Sequence, residues 1–155
     1  MLFLTAGIIA LDQAIKSLIR LTPVGSTLFE VPGVFSLTHS INTGAAFSLF
    51  SGRPMLLAIL SIGLLAAIIF YARKSLRLTK PARVALACML GGGIGNQMDR
   101  VFLSGVTDYI RLLFIDFPVF NLADMAITLS VMLLLFLLLT DALEETTEEK
   151  HGSDH

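Results

Sequence analysis

Asp124 is the one charge between Pro118 and Thr140, and the chain from there to Leu139 is uncharged. An ionised carboxylate facing lipid at mid-bilayer costs ~2.5–3.5 kcal/mol on insertion scales, so such a residue usually faces a bundle interior and marks a functional site. Asn121 lies three residues earlier, on the same helix face. A second acid, Asp108, sits in Val106-Thr107-Asp108-Tyr109-Ile110, a strand-like alternation that points Asp108 away from Tyr109. Two carboxylates that can meet suggest an aspartic dyad. Like charges a few ångströms apart cannot both ionise readily, so one proton is shared by the pair. The ionised member can take a proton from water while the protonated member polarises a scissile carbonyl. The bland alternatives are a solvated loop acid for Asp108 and an acid snorkelling to the interface for Asp124. No serine–histidine or cysteine–histidine pair competes, because Cys88 lies in an apolar run and His39, His151 and His155 are peripheral.

The elements that must position these groups are membrane helices. The chain has 155 residues, 55% hydrophobic and 15% charged, against the roughly 25% charged of globular proteins. The Pro118–Thr140 run and the uncharged Met55–Tyr71 run are each about long enough to cross a bilayer core. The class is a small polytopic membrane protein of one domain, residues 1–140, followed by an acidic cytoplasmic tail, 141–155, expected to be disordered. A net charge of −1 and the lack of a basic patch interleaved with aromatics give no sign of nucleic-acid binding. A single cysteine excludes an intrachain disulfide and a cysteine-cluster metal site. Asp12 and Lys16 interrupt the first apolar run, which is not read as a cleavable signal peptide.

Four spans are expected: Leu2–Leu21, Pro54–Tyr71, Val84–Phe102 and Pro118–Thr140. In the first, Asp12 and Lys16 are spaced i, i+4 and can pair. In the third, Gly91-Gly92-Gly93 and Gly95 permit backbone-to-backbone packing, and Asn96, Asp99 and Arg100 share a face. Between the first two spans, residues 22–53 read as short strands, Leu28–Val31 and Val34–Thr38, joined by Pro-Gly turns. This outer sheet ends in Asn42-Thr43-Gly44-Ala45-Ala46-Phe47, with Phe29, Phe35, Phe47 and Phe50 as interface contacts and His39 at the surface. Arg73, Lys74, Arg77, Lys80 and Arg83, with no acid among them, mark a cytoplasmic loop by the positive-inside rule. Both termini are then cytoplasmic, and residues 22–53 and 101–117 face outward.

A depth estimate brings the polar groups together. At 1.5 Å per residue, Asp12 and Lys16 lie ~15 and ~21 Å above the inner start of the first span, and Asp99 ~26 Å up the third. Asp124 lies ~9 Å down from the outer start of the fourth. Five lipid-facing charges in that outer half (Asp12, Lys16, Asp99, Arg100, Asp124) would cost up to ~15 kcal/mol, as much as a whole domain's stability. They must pair inside the bundle.

Five blocks in order, Asp12-Gln13-x-x-Lys16, Asn42-Thr43-Gly44-Ala45-Ala46-Phe47, Gly95-Asn96-x-x-Asp99-Arg100, Val106-x-Asp108 and Phe120-Asn121-x-Ala123-Asp124, resemble the motifs of signal peptidase II. The resemblance implies an aspartic endopeptidase of the bacterial cytoplasmic (inner) membrane. Its substrate would be a prolipoprotein, cut just before a cysteine that carries a diacylglyceryl group. It implies Asp108 and Asp124 as the catalytic pair. Asp12, Lys16, Asn42, Asn96, Asp99, Arg100 and Asn121 become the supporting shell that orients the dyad and binds substrate. The implied fold is all-α, four transmembrane helices with a small extracytoplasmic β-cradle. Globomycin sensitivity follows by the same analogy, and no metal is implied; a monomer in contact with membrane lipids and without a cofactor is expected. A rival class is a small ion or proton transporter bundle, since intramembrane charges also line such paths; the polar groups cluster at one side instead of running through. A purely structural membrane subunit would leave the Asp108/Asp124 pairing unexplained.

Overall fold

The computed structural model describes residues 1–44, 53–75 and 79–152, with side chains described at all of these except 54, 71–75 and 141–152. The Ala45-Ala46-Phe47 end of the second motif, Phe50 and Arg77 lie outside the described residues. The elements run α1 (Leu2–Ile19), β1 (Thr27–Val31), β2 (Phe35–Asn42), α2 (Pro54–Ser75), α3 (Lys80–Leu103), β3 (Val106–Leu112) and α4 (Leu122–Gly152). The protein is mostly helical but not all-α: the three strands form one antiparallel sheet in the order β1-β2-β3. Among the described residues, two helical segments are long and apolar enough to cross a membrane, Leu2–Ile19 and Leu122–Thr140, and Met55–Phe70 is a shorter apolar one.

α3 is the central helix and packs against α1, α2 and α4. It starts with Thr79 as N-cap, whose hydroxyl accepts from the Ala82 amide at 3.4 Å, and with Pro81 in the first turn, where a missing donor does no harm. Its glycines set the distance to each neighbour. A Cβ at Gly91 would meet Ile8 and the Thr5 carbonyl of α1; one at Gly92 would run into the Ala123 carbonyl of α4. Gly95 is held against the Asp12 carboxylate. These approaches let polar groups on three helices reach one another. The outer faces of α1, α2 and α4 carry exposed Phe3, Leu18, Ile59, Phe70, Leu129 and Phe136. Such a surface suits lipid, since a water-soluble domain rarely exposes so much apolar area.

The β1–β2 hairpin turns at Pro32-Gly33, with Gly33 at φ +73, a conformation that strains other residues. β3 follows α3 after a left-handed turn at Ser104, φ 58. It pairs with β2 so that Asp108 lies across from Ser40 and two positions from Asn42. The chain then returns: Phe120 bridges Ile110, the two amides exchanging bonds of 2.8 and 3.0 Å. That bridge delivers Asn121 beside Asp108 at the start of α4.

One expectation gives way here. His39 is buried, 4% exposed, because residues 22–26 fold over β2: Gly25 and Ser26 bond its backbone, and its Nδ1 lies 2.8 Å from the Thr22 carbonyl. The helix backbone of α4 runs on past Thr140 to Gly152. Residues 141–152 hold four Glu, a good helix former, and no Pro, with no Gly before Gly152 to stop the helix.

Candidate active site

The site is built around the first turn of α4, whose backbone donors all find partners. Asn121 is the N-cap. Its Oδ1 accepts from the Asp124 amide at 2.9 Å, and Asp124 Oδ2 accepts from the Asn121 amide at 3.1 Å. This is a reciprocal capping box with an aspartate at its third position. The Leu122 amide donates to Tyr109 Oη at 3.1 Å and the Ala123 amide to Asp12 Oδ1 at 3.2 Å. A buried helix end left without such partners would be strongly unfavourable.

Asn121 also reaches the other acid. Its Nδ2 donates to Asp108 Oδ1 at 2.6 Å, while Asn42 Nδ2 donates to Asp108 Oδ2 at 3.1 Å. Asp124 Oδ1 takes a bond of 2.7 Å from Asn96 Nδ2. Each carboxylate therefore receives a donor on both oxygens, and Asn121 touches both residues. Asp108, 2% exposed, has its carboxyl raised from 3.8 to about 7, mainly by burial and next by the nearby Asp124 charge. Burial also pushes the Tyr109 hydroxyl up to about 12.

Behind the acids lies a buried charge network. Lys16 Nζ, fully buried, lies 2.9 Å from Asp12 Oδ2, 3.3 Å from Asp99 Oδ2 and 2.8 Å from Asn96 Oδ1. The last contact fixes the Asn96 amide so that its Nδ2 faces Asp124. Gln13 Nε2 donates to Asp99 Oδ1 and to the Gly95 carbonyl, each at 3.1 Å. Two acids and the cations Lys16 and Arg20 balance in this layer, which is how a buried ionic cluster becomes tolerable.

Asp108 and Asp124 both line one cavity of about 440 Å³, with Asn42 and Arg100 at its polar side. The other walls are mostly apolar: Val106, Phe117 to Phe120, and Met125, Ile127 and Leu129 of α4, with Thr128 between the last two. A polar floor beneath a greasy wall suits a substrate with a peptide bond beside hydrocarbon.

The model of the signal peptidase (SPase) II family matches residues 4–140. The chain is 36% identical over 150 residues to the lipoprotein signal peptidase of Streptococcus thermophilus (strain CNRZ 1066), covering 96% of this chain and 93% of that one. It is 40% identical over 148 residues to the lipoprotein signal peptidase of Dehalococcoides mccartyi (strain BAV1), covering 92% and 91%. A bacterial membrane enzyme solved by the in meso method at 2.3 Å is similar in structure, TM-score 0.84 at 29% identity, over 91% of this chain and 88% of that chain.

This chain belongs to the signal peptidase II family. It is accordingly a peptidase and a membrane enzyme.

The motif residues of this signal peptidase II chain are brought together by the fold. Asn42, Arg100, Asp108 and Asp124 line the cavity; Asn96 and Asn121 hold the acids; Asp12, Lys16 and Asp99 form the layer behind. Arg20 and Thr107 escaped the sequence reading. Arg20 lies 2.6 Å from Asp99 Oδ1 and donates through Nε to Thr107 Oγ1 at 2.9 Å. The only available signal was its position one turn beyond Lys16 on the Asp12 face.

Proposed function

We propose that the chain is an aspartic endopeptidase that removes the signal peptide from diacylglyceryl-modified prolipoproteins, cutting just before the lipidated cysteine, with Asp108 and Asp124 as the dyad. One observation carries the reading. Two carboxyl groups, joined through Asn121, face a single cavity with an apolar wall.

Asp108, raised to about 7, suits the protonated role and donates to the scissile carbonyl oxygen. Asp124 sits in the first turn of α4, where the helix dipole favours a negative charge. It takes a proton from the water that attacks the carbonyl carbon. The tetrahedral intermediate collapses as a proton passes to the leaving amine, the peptide bond breaks, and the new cysteine amino terminus departs with its lipid. Arg100 stands at the cavity edge to meet developing negative charge or a substrate carbonyl.

The reading extends to topology. Residues 1–140 form one catalytic domain of four spans, with the basic loop and both termini cytoplasmic and the cavity near the outer face. A lipid-anchored substrate then reaches the site of the monomeric enzyme from the membrane plane.

The test is cleavage of a diacylglyceryl-modified prolipoprotein by purified wild type, Asp108→Asn and Asp124→Asn in detergent. Cutting by wild type alone, with both variants folded, supports the dyad. Near-normal cleavage by either variant removes that residue from the mechanism. Ion flux in proteoliposomes without any cleavage would put the transporter class first.

A further inference from the structure

Arg20 lies outside the motif blocks and outside the cavity, at the C-cap of α1, and its side chain is about a quarter exposed. Yet it closes a ring. Arg20 Nη2 lies 2.6 Å from Asp99 Oδ1, Arg20 Nε donates to Thr107 Oγ1 at 2.9 Å, and the Thr107 amide donates to Asp99 Oδ2 at 3.0 Å. Three elements, α1, α3 and β3, are locked at one point. Thr107 is the residue immediately before Asp108, and side chains alternate along a strand. Holding the Thr107 hydroxyl and amide on the Arg20–Asp99 side turns Asp108 to the opposite face, where it lines the cavity with Val106.

We propose that Arg20 is a positioning residue, a clamp that fixes β3 through Thr107 and so aims Asp108 into the cavity.

The guanidinium geometry is what the role requires. Its planar fork can meet a carboxylate oxygen with one nitrogen and a hydroxyl with another, whereas an ammonium is a point donor on a flexible stem. Lysine at this position would keep the charge opposite Asp99 and lose the second bond. Asp99 keeps Lys16 and Gln13 when Arg20 is removed, so the layer behind the acids retains a cation. The loss falls on β3. A displacement of about 1 Å at a reacting group can lower turnover by about a hundredfold.

The inference rests on the peptidase reading for its kinetic arm and has a second arm that does not. Wild type, Arg20→Ala, Arg20→Lys and Thr107→Val would be compared for kcat and KM on the prolipoprotein. They would also be compared for the pH midpoint of the protonated Asp108 carboxyl, followed by its infrared band and assigned by loss of that band in Asp108→Asn. Arg20→Ala is expected to lower kcat about 10–100-fold with KM within about twofold. Its Asp108 midpoint should fall below that of wild type as β3 loosens and water enters. Arg20→Lys should recover part of both changes, and Thr107→Val should reproduce part of the loss. A raised KM with normal kcat would make Arg20 a substrate contact and overturn the proposal. An unshifted midpoint would overturn it as well. Failure of wild type to cleave would sink the peptidase reading alone, leaving the infrared titration to decide the clamp.

Discussion

Asn121 and Asp124 cap each other, amide to side chain in both directions, at 2.9 and 3.1 Å. The residue that starts α4 is thus also the residue that holds one candidate catalytic carboxylate. The remaining nitrogen of Asn121 is spent on the other, Asp108, at 2.6 Å. Helix initiation and site geometry are one interaction here.

Asn121→Ala should therefore damage stability and activity together. Loss of an N-cap side chain costs about 1–2 kcal/mol, and both carboxylates lose part of their orientation. We expect a lower thermal midpoint in detergent and at least a hundredfold fall in kcat. A variant that cleaves within about threefold of wild type would show that Asn121 is a cap and nothing more.

The raised Asp108 carboxyl predicts a pH dependence of definite sign. Its folded value, about 7, lies above the ordinary 3.8, so the folded protein holds the proton more tightly than the unfolded chain does. The contribution to stability is complete below 3.8 and is lost as pH rises through about 7. Thermal midpoints of wild type should decline over that window, and Asp108→Asn, which cannot ionise, should decline less. Cleavage by wild type should also fall on the alkaline side of about 7. Parallel stability curves for the two proteins would contradict the assignment.

Removing the buried ammonium should cost more than removing the ion pair. Lys16→Met leaves Asp12 and Asp99 short of a partner, and breaking a buried pair from one side costs about 3–5 kcal/mol. Lys16→Gln combined with Asp12→Asn restores neutrality and keeps an acceptor for the Ala123 amide. Unfolding measurements should find this double variant more stable than Lys16→Met. If the double variant is the worse of the two, charge balance is not what holds this layer.

Two glycines provide opposite outcomes for one kind of substitution. At Gly92 an added methyl runs into the Ala123 carbonyl in the first turn of α4, so Gly92→Ala should lose about 1–3 kcal/mol and most activity. Nothing lies within 4 Å of a methyl at Gly7 in α1, so Gly7→Ala should gain about 0.5–1 kcal/mol by reducing backbone entropy in the unfolded chain. Melting curves of the pair decide; equal effects would mean that the α3–α4 approach is not tight.

The amino-acid sequence by itself determined the helices, the strands flanking Pro32-Gly33, and the residues that had to leave the lipid. Apolar runs, turn residues and the cost of burying charge are properties of local composition. The i, i+4 spacing of Asp12 and Lys16 and the alternation of Asp108 against Tyr109 are equally local, and both hold in the structure. The tertiary structure alone decided the partners. Asp12 capping α4 spans 111 residues, and nothing near Asp12 announces Ala123. His39 looked peripheral until residues 22–26 covered it. Arg20 stands outside the motif blocks, and only the fold of β3 places Thr107 against it. Such pairings depend on how closely α3 lets its neighbours approach and on the register of β2 with β3. Those are distances between segments remote in the chain, which no local pattern encodes.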